Sequence, residues 1–150
     1  MFSKSCEYGL QAILYIALHA SGERRVGLQE IAENQEIPSH FLSKILQILV
    51  KQKLLSSTKG PNGGFILNRK PEDITLLEVI AAIDGLDIFD RCGIGLKTCS
   101  DEVPCPIHNK FKFLRENIRQ TLSNETLADL RLQVVQGKSF VTVKNLEVGN

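Results

Sequence analysis

The chain has 150 residues, 43% of them hydrophobic and 23% charged, which is enough to build a real core and argues against a disordered chain. No apolar run approaches the ~20 residues that a spanning helix needs, since the stretch Leu10 to Ala20 is too short and contains Gln11 and His19. Residues Met1 to Glu7 lack the charged-then-apolar order of a signal peptide, so a cytoplasmic protein with no membrane partner is expected. In a reducing compartment disulfides are rare, and closely spaced cysteines, as three of the four here are, more often mean metal binding or redox chemistry. The formal net charge of +1 hides an asymmetry: residues 1–70 hold nine Lys/Arg against five Asp/Glu, and residues 71–150 hold nine against twelve. Between Ile37 and Lys70 stand six basic residues and no acid, which suggests a local anion-binding surface; a solvated basic face is the plainer alternative.

In chain order, Leu10, Ile13, Leu14, Ala17 and Leu18 mark one face of a first helix from about Ser5, its expected N-cap, to Ala20. A short second helix over Leu28 to Asn34 stops before Ile37-Pro38, because the residue preceding proline avoids helix. Ser39 is expected to cap a third helix running to Gln52 or Lys53. Its apolar stripe is Leu42, Ile45, Leu46 and Leu49; its opposite stripe, His40, Ser43, Lys44, Gln47 and Lys51, holds only hydrogen-bonding and cationic groups. Two short strands, Leu54–Thr58 and Phe65–Leu67, flank the turn segment Lys59 to Gly64. Thr75 and Glu78 form a capping-box pattern that opens a fourth helix over Leu76 to Ile83. Asp84 to Pro106 shows little periodicity and holds three cysteines. A longer helix is expected from Pro106 or Ile107, with Ile107, Phe111, Leu114, Ile118 and Leu122 on one side, and a last helical segment over Thr126 to Val135. Gly137 to Asn150 reads as a flexible tail with a strand at Phe140–Val143.

The fold class is therefore mainly α, a winged helix-turn-helix with a two-stranded wing and a long C-terminal helix. The expected divisions are a DNA-binding domain over 1–84, a cysteine-rich loop over 85–108, a long helix and C-terminal helical segment over 106–136, and the tail over 137–150. The major groove of B-form DNA admits one α-helix whose inserted face must donate to base edges and phosphates. Ser39, His40, Ser43, Lys44, Gln47 and Lys51 supply that face, and Lys59 and Asn62 sit at a wing tip made tight by Gly63 and Gly64. A polar stripe or a glycine-rich turn alone is usually a solvated surface; here they follow in order along the acid-free stretch, which favours double-stranded DNA as partner.

Cys92-x6-Cys99-x5-Cys105-x2-His108 is the second signal. Three thiolates and an imidazole in one loop suit a soft metal or an iron–sulfur cluster. The gaps argue mildly against structural zinc, which favours closer pairs, although zinc or inert thiols stay open on spacing alone. Cys6 reads as a core residue of the first helix, and His19 and His40 are poor ligand candidates. A nucleophilic Cys–His pair needs an orienting partner and a pocket; none is visible in the sequence, and no enzyme is expected. An iron–sulfur or other metal-binding protein without DNA function is a further alternative.

The segments Glu7 to Ala12, Ile31-Ala32-Glu33, Phe41 to Leu46, Lys59 to Phe65, Ile74 to Ile80, the cysteine loop and Thr126 to Leu130 together resemble the Rrf-two family of bacterial winged-helix regulators, over about residues 2 to 132. The resemblance implies a homodimer on a pseudo-palindromic operator, with the helix after the cysteine loop as dimer contact. It implies an iron–sulfur cluster on Cys92, Cys99 and Cys105 that senses redox state, nitric oxide or cluster supply to control a repressor. The family's cysteine-metabolism regulators lack these cysteines and match less well. His108 looks like the histidine of the iron–sulfur biogenesis regulator, which holds a [2Fe-2S] cluster. Glu7 lies where nitric-oxide sensors carry an aspartate that reaches a [4Fe-4S] cluster, so Glu7 of the partner subunit is the alternative fourth ligand. Cluster nuclearity stays open at this point. The expected mechanism is that reordering of the loop from Asp90 to His108 changes the spacing of two recognition helices.

Overall fold

The computed structural model describes residues 1–142. Among the described residues there are six α-helices and one two-stranded antiparallel sheet: α1 Lys4–His19, α2 Leu28–Gln35, α3 Ser39–Lys51, β1 Leu55–Thr58, β2 Gly64–Leu67, α4 Leu76–Ile83, α5 His108–Asn124 and α6 Leu127–Val135. The mainly α winged-helix class is as the sequence predicts.

The buried face of α1 (Ala12, Ile13, Ile16) meets α3 through Leu42, Ile45, Leu46 and Leu49, all at 2% exposure or less. Each leucine and isoleucine among them contributes roughly 1.5–3 kcal/mol by leaving water. Burying that stripe turns the opposite stripe of α3 outward. The cap of α1 differs from expectation: Ser3, not Ser5, accepts from the Cys6 N–H at 3.0 Å. Ser3 is also fixed from afar, its N–H donating to Asp84 at 2.8 Å. Nor does Ser39 cap α3. It is the first helical residue, Pro38 takes the cap position, and the Ser39 hydroxyl turns to Gln29 at 3.4 Å.

The wing pairs Leu55 with Leu67 through Thr58 with Gly64. Val26, just before α2, exchanges two backbone bonds with Phe65 (3.0 and 2.7 Å), so the wing is tied back to the helical body. Gly64 makes this possible, with φ +143 and the Val26 carbonyl oxygen 2.7 Å from where a Cβ would stand. Thr75 and Glu78 close the expected capping box on α4. Thr126 and Asp129 close a second on α6 that the sequence reading did not single out.

After α5 the chain returns to the winged half. The Leu127 N–H donates to Ile74 O at 2.9 Å, the Leu76 N–H donates to Glu125 O at 3.0 Å, and Leu127 is fully buried against the main core. Along α5 itself His108 is the buried residue; Phe111, Ile118 and Leu122 are half-buried, while Phe113 and Leu114 are 67% and 52% exposed. The strand expected at Phe140–Val143 is not formed over 140–142, and Val143 onward lies outside the described residues.

Candidate functional site

Two places carry chemistry. The first is the outward face of α3 with the wing beside it. His40, Lys44, Gln47 and Lys51 are exposed, Ser39 and Ser43 are half-buried, and Lys59 and Asn62 stand exposed at the wing tip. Ser43, Gln47, Lys51 and Lys59 line one cleft of about 450 Å³ between helix and wing; Ser39, His40, Lys44 and Asn62 lie outside its lining. The first turn of α3 holds no acid. The sequence reading missed Phe41 and Ile48, which stand 50% and 37% exposed on the same helix. Their spacing of three and four from Lys44 was the available signal. An apolar side chain beside hydrogen-bonding ones suits a thymine methyl.

The second place is the loop between α4 and α5, with the start of α5. The Cys92 and Cys105 sulfurs lie 3.7 Å apart, and Cys99 Sγ lies 3.4 Å from His108 Nδ1. His108 is 95% buried, and its Nε2 meets Asp101 Oδ1 at 2.8 Å. The Lys112 ammonium donates to both Asp101 oxygens, at 2.8 and 2.7 Å. Arg115 donates through Nη2 to Cys99 Sγ at 3.4 Å and through Nη1 to the Arg91 carbonyl. Gly93 lies flat over Phe111, whose ring atoms would meet a Cβ at 2.5–2.6 Å; the loop is thereby pinned to α5.

The electrostatics favour an anionic sulfur at Cys92. Backbone N–H groups of Ile94 and Leu96, with smaller help from the Cys105 thiol and the Gly95 N–H, hold the Cys92 thiol below its ordinary range. Lys112 and then His108 hold Asp101 below the usual carboxylate range. Cys6 is the opposite case: burial first, then the charges of Asp84 and Glu7, push its thiol up to about 12. It is the core residue the sequence suggested, fully buried in α1. Glu7 is ion-paired with Lys4 at 3.2 Å and does not line the cavity shared by Cys99 and His108.

The donor set passes a geometric test for metal. A tetrahedral metal with sulfur at about 2.3 Å and nitrogen at about 2.0–2.1 Å holds two sulfurs about 3.8 Å apart and a sulfur–nitrogen pair about 3.6 Å apart. Both observed pairs match such an edge. No group of three His, Cys, Asp or Glu suited to one ion occurs among the described residues. Two separate edges suit a two-metal group better than a single zinc, which needs four converging donors. Arg115 Nε is buried without an acceptor among the described residues, a donor that a sulfide-rich group would satisfy. Asp101, Lys112 and Arg115 were not foreseen. Lys112 and Arg115 follow His108 by four and seven residues, one helical face, which was a usable signal; Asp101, in an aperiodic loop, offered none.

Cys99, His108 and Asp101 also form the thiol–imidazole–carboxylate line that the sequence did not reveal, in a polar cavity of about 210 Å³. Such a line can orient a nucleophile or orient a ligand. Comparison with known proteins favours the second. Residues 2–132 match the family described as "Rrf2: Iron-dependent Transcriptional regulator". The HTH-type transcriptional regulator IscR of Sodalis glossinidius is 37% identical over 123 residues, which cover 82% of this chain and 73% of the relative. Among solved structures, T. potens IscR aligns with TM-score 0.73 and 26% identity over 93% of this chain and 92% of its own. CymR, the global cysteine regulator of B. subtilis, aligns with TM-score 0.72 and 25% identity over 87% and 95%. These relatives are transcription regulators, not enzymes. No helix among the described residues is long and apolar enough to cross a membrane.

Proposed function

Because this chain belongs to the Rrf2 family of transcriptional regulators, we propose that it is a homodimeric repressor whose operator affinity is controlled by an iron–sulfur cluster on Cys92, Cys99, Cys105 and His108. That it is a DNA-binding transcription regulator follows from the family and the winged fold together. The finer reading is supported by one observation: the loop and the first residue of α5 bring three thiols and an imidazole into two close pairs, of 3.7 and 3.4 Å.

On the DNA side, Ser39, His40, Ser43, Lys44, Gln47 and Lys51 present donors to the major groove, and Lys59 and Asn62 grip the backbone from the wing. Lys51 and Lys59 both line the cleft between α3 and the wing, so a phosphate there would meet two cations. The exposed Phe113 and Leu114 on α5 supply apolar surface for a second copy. A two-fold dimer places its recognition helices one helical turn of DNA apart, about 34–36 Å, on a pseudo-palindromic operator.

When bound, the cluster supplies a redox- and nitric-oxide-sensitive tie among the four side chains. The protein's part is mechanical. His108 is the first residue of α5, and its N–H already donates to Cys105 O at 2.9 Å. Fixing the donor side chains therefore fixes the direction in which α5 leaves the loop. Releasing them frees the loop from Asp90 to His108 and with it the dimer spacing. His108 is the fourth ligand in this reading, in preference to Glu7 of the partner subunit, because His108 is already held against Cys99 at 3.4 Å.

A second reading is supported by the lowered Cys92 thiol: bare thiols themselves sense oxidants. Operator titration of anaerobically purified protein against its Cys99→Ala variant tests the cluster reading. An affinity change of several-fold supports it, and equal affinity contradicts it.

A further inference from the structure

We propose that Asp101 is the positioning residue of the metal group: its carboxylate holds His108 Nε2, so that Nδ1 is the ligating atom and shares one metal with Cys99, while Cys92 and Cys105 share the other. The inference rests on the cluster reading above and adds to it the ligand atom, the partition of the ligands and the residue that enforces both.

An imidazole can ligate through either nitrogen, and the hydrogen bond at the other one chooses. Here Asp101 Oδ1 occupies Nε2 at 2.8 Å while Nδ1 faces the Cys99 sulfur at 3.4 Å. Both Asp101 oxygens also receive the Lys112 ammonium, at 2.8 and 2.7 Å, an exposed pair that biases where the carboxylate sits. Lys112 lies one helical turn beyond His108 on α5, so the helix carries both the ligand and the clamp on its orienting carboxylate. The burial of His108 removes water as a competing partner for the ring. Cys99 is oriented in the same way, by Arg115 Nη2 at 3.4 Å. The Cys92–Cys105 pair has its own support in the backbone N–H groups of Ile94 and Leu96. Two ligand pairs with two separate sets of orienting donors are what a binuclear group requires. Removing such an orienting partner typically costs 10–100-fold in metal affinity.

The test uses full-length protein purified without oxygen and reduced by one electron, with histidine labelled with nitrogen-15 at Nδ1 or at Nε2. Pulsed paramagnetic resonance then reads the hyperfine coupling of each nitrogen. Strong coupling from Nδ1 and weak coupling from Nε2 is the expected result. Strong coupling from Nε2, or no nitrogen coupling in a protein that contains iron and sulfide, overturns the proposal and leaves the cluster reading standing. Absence of iron and sulfide overturns both. Asp101→Asn, which keeps one acceptor oxygen, is expected to retain the Nδ1 signal. Asp101→Ala is expected to lose iron to a chelator about ten-fold faster, with helix content unchanged because Asp101 lies in the loop outside the helices. Equal loss rates for wild type and Asp101→Ala overturn the positioning role.

Discussion

Lys59 stands exposed where the wing turns, on the rim of the cleft it shares with Ser43, Gln47 and Lys51. If its ammonium rests on a phosphate, Lys59→Ala removes one such contact per protomer and two per dimer. Each phosphate neutralised contributes about 0.9 to the slope of log K against log salt, so the line should flatten by about 1.8. The loss of affinity is then about 60-fold at 0.1 M salt and only about 9-fold at 0.3 M, with the same penalty for every DNA sequence. Because the side chain is exposed, stability should move by less than about 0.5 kcal/mol. Anisotropy titrations of a labelled operator across that salt range, with a melting curve as control, supply both numbers. Parallel salt lines for wild type and variant would refute the placement of Lys59 on the backbone.

Thiol reactivity should follow the local fields: in metal-free protein, iodoacetamide is expected to modify Cys92 first and to spare Cys6, which is fully buried and pushed up to about 12. Mass mapping after brief alkylation checks the order, and early labelling of Cys6 would contradict it. Thr75→Ala removes the N-cap of α4 and should cost about 1 kcal/mol, seen as a fall in melting temperature of about 2–4 °C. Burial raises the Glu78 carboxyl, but the Thr75 N–H and Arg69 outweigh it and hold it below its usual range. Its contribution is therefore present above its unfolded value of about 4.3 and fades as pH falls through the lower folded value. The gap in stability between wild type and Glu78→Gln should accordingly narrow in acid, and a gap that widens below pH 4 would show the sign to be wrong.

What the sequence makes legible is what is local. The Thr75–Glu78 box and the run Leu76–Ile83 predict α4 to the residue, because cap and helix lie within nine positions. The stripe Leu42, Ile45, Leu46 and Leu49 likewise predicts which side of α3 turns outward. Errors arise where a distant partner decides. Two serines near the start of α1 are equivalent as caps until Asp84, 81 residues away, takes Ser3. The return of α6 hangs on Leu127 and Ile74, a pairing no periodicity reveals. The same holds at the candidate metal site. Cys92, Cys99, Cys105 and His108 announce themselves by residue type and spacing, whereas their pairing and the roles of Asp101 and Arg115 depend on how the loop folds onto α5.

The most direct measurement is an absorption spectrum of anaerobically purified protein with iron and acid-labile sulfide assays on the same sample. The account predicts visible absorbance with iron and sulfide in equal amounts, two of each per chain. A colourless protein after anaerobic reconstitution would contradict it and leave a winged-helix regulator that works with zinc or bare thiols.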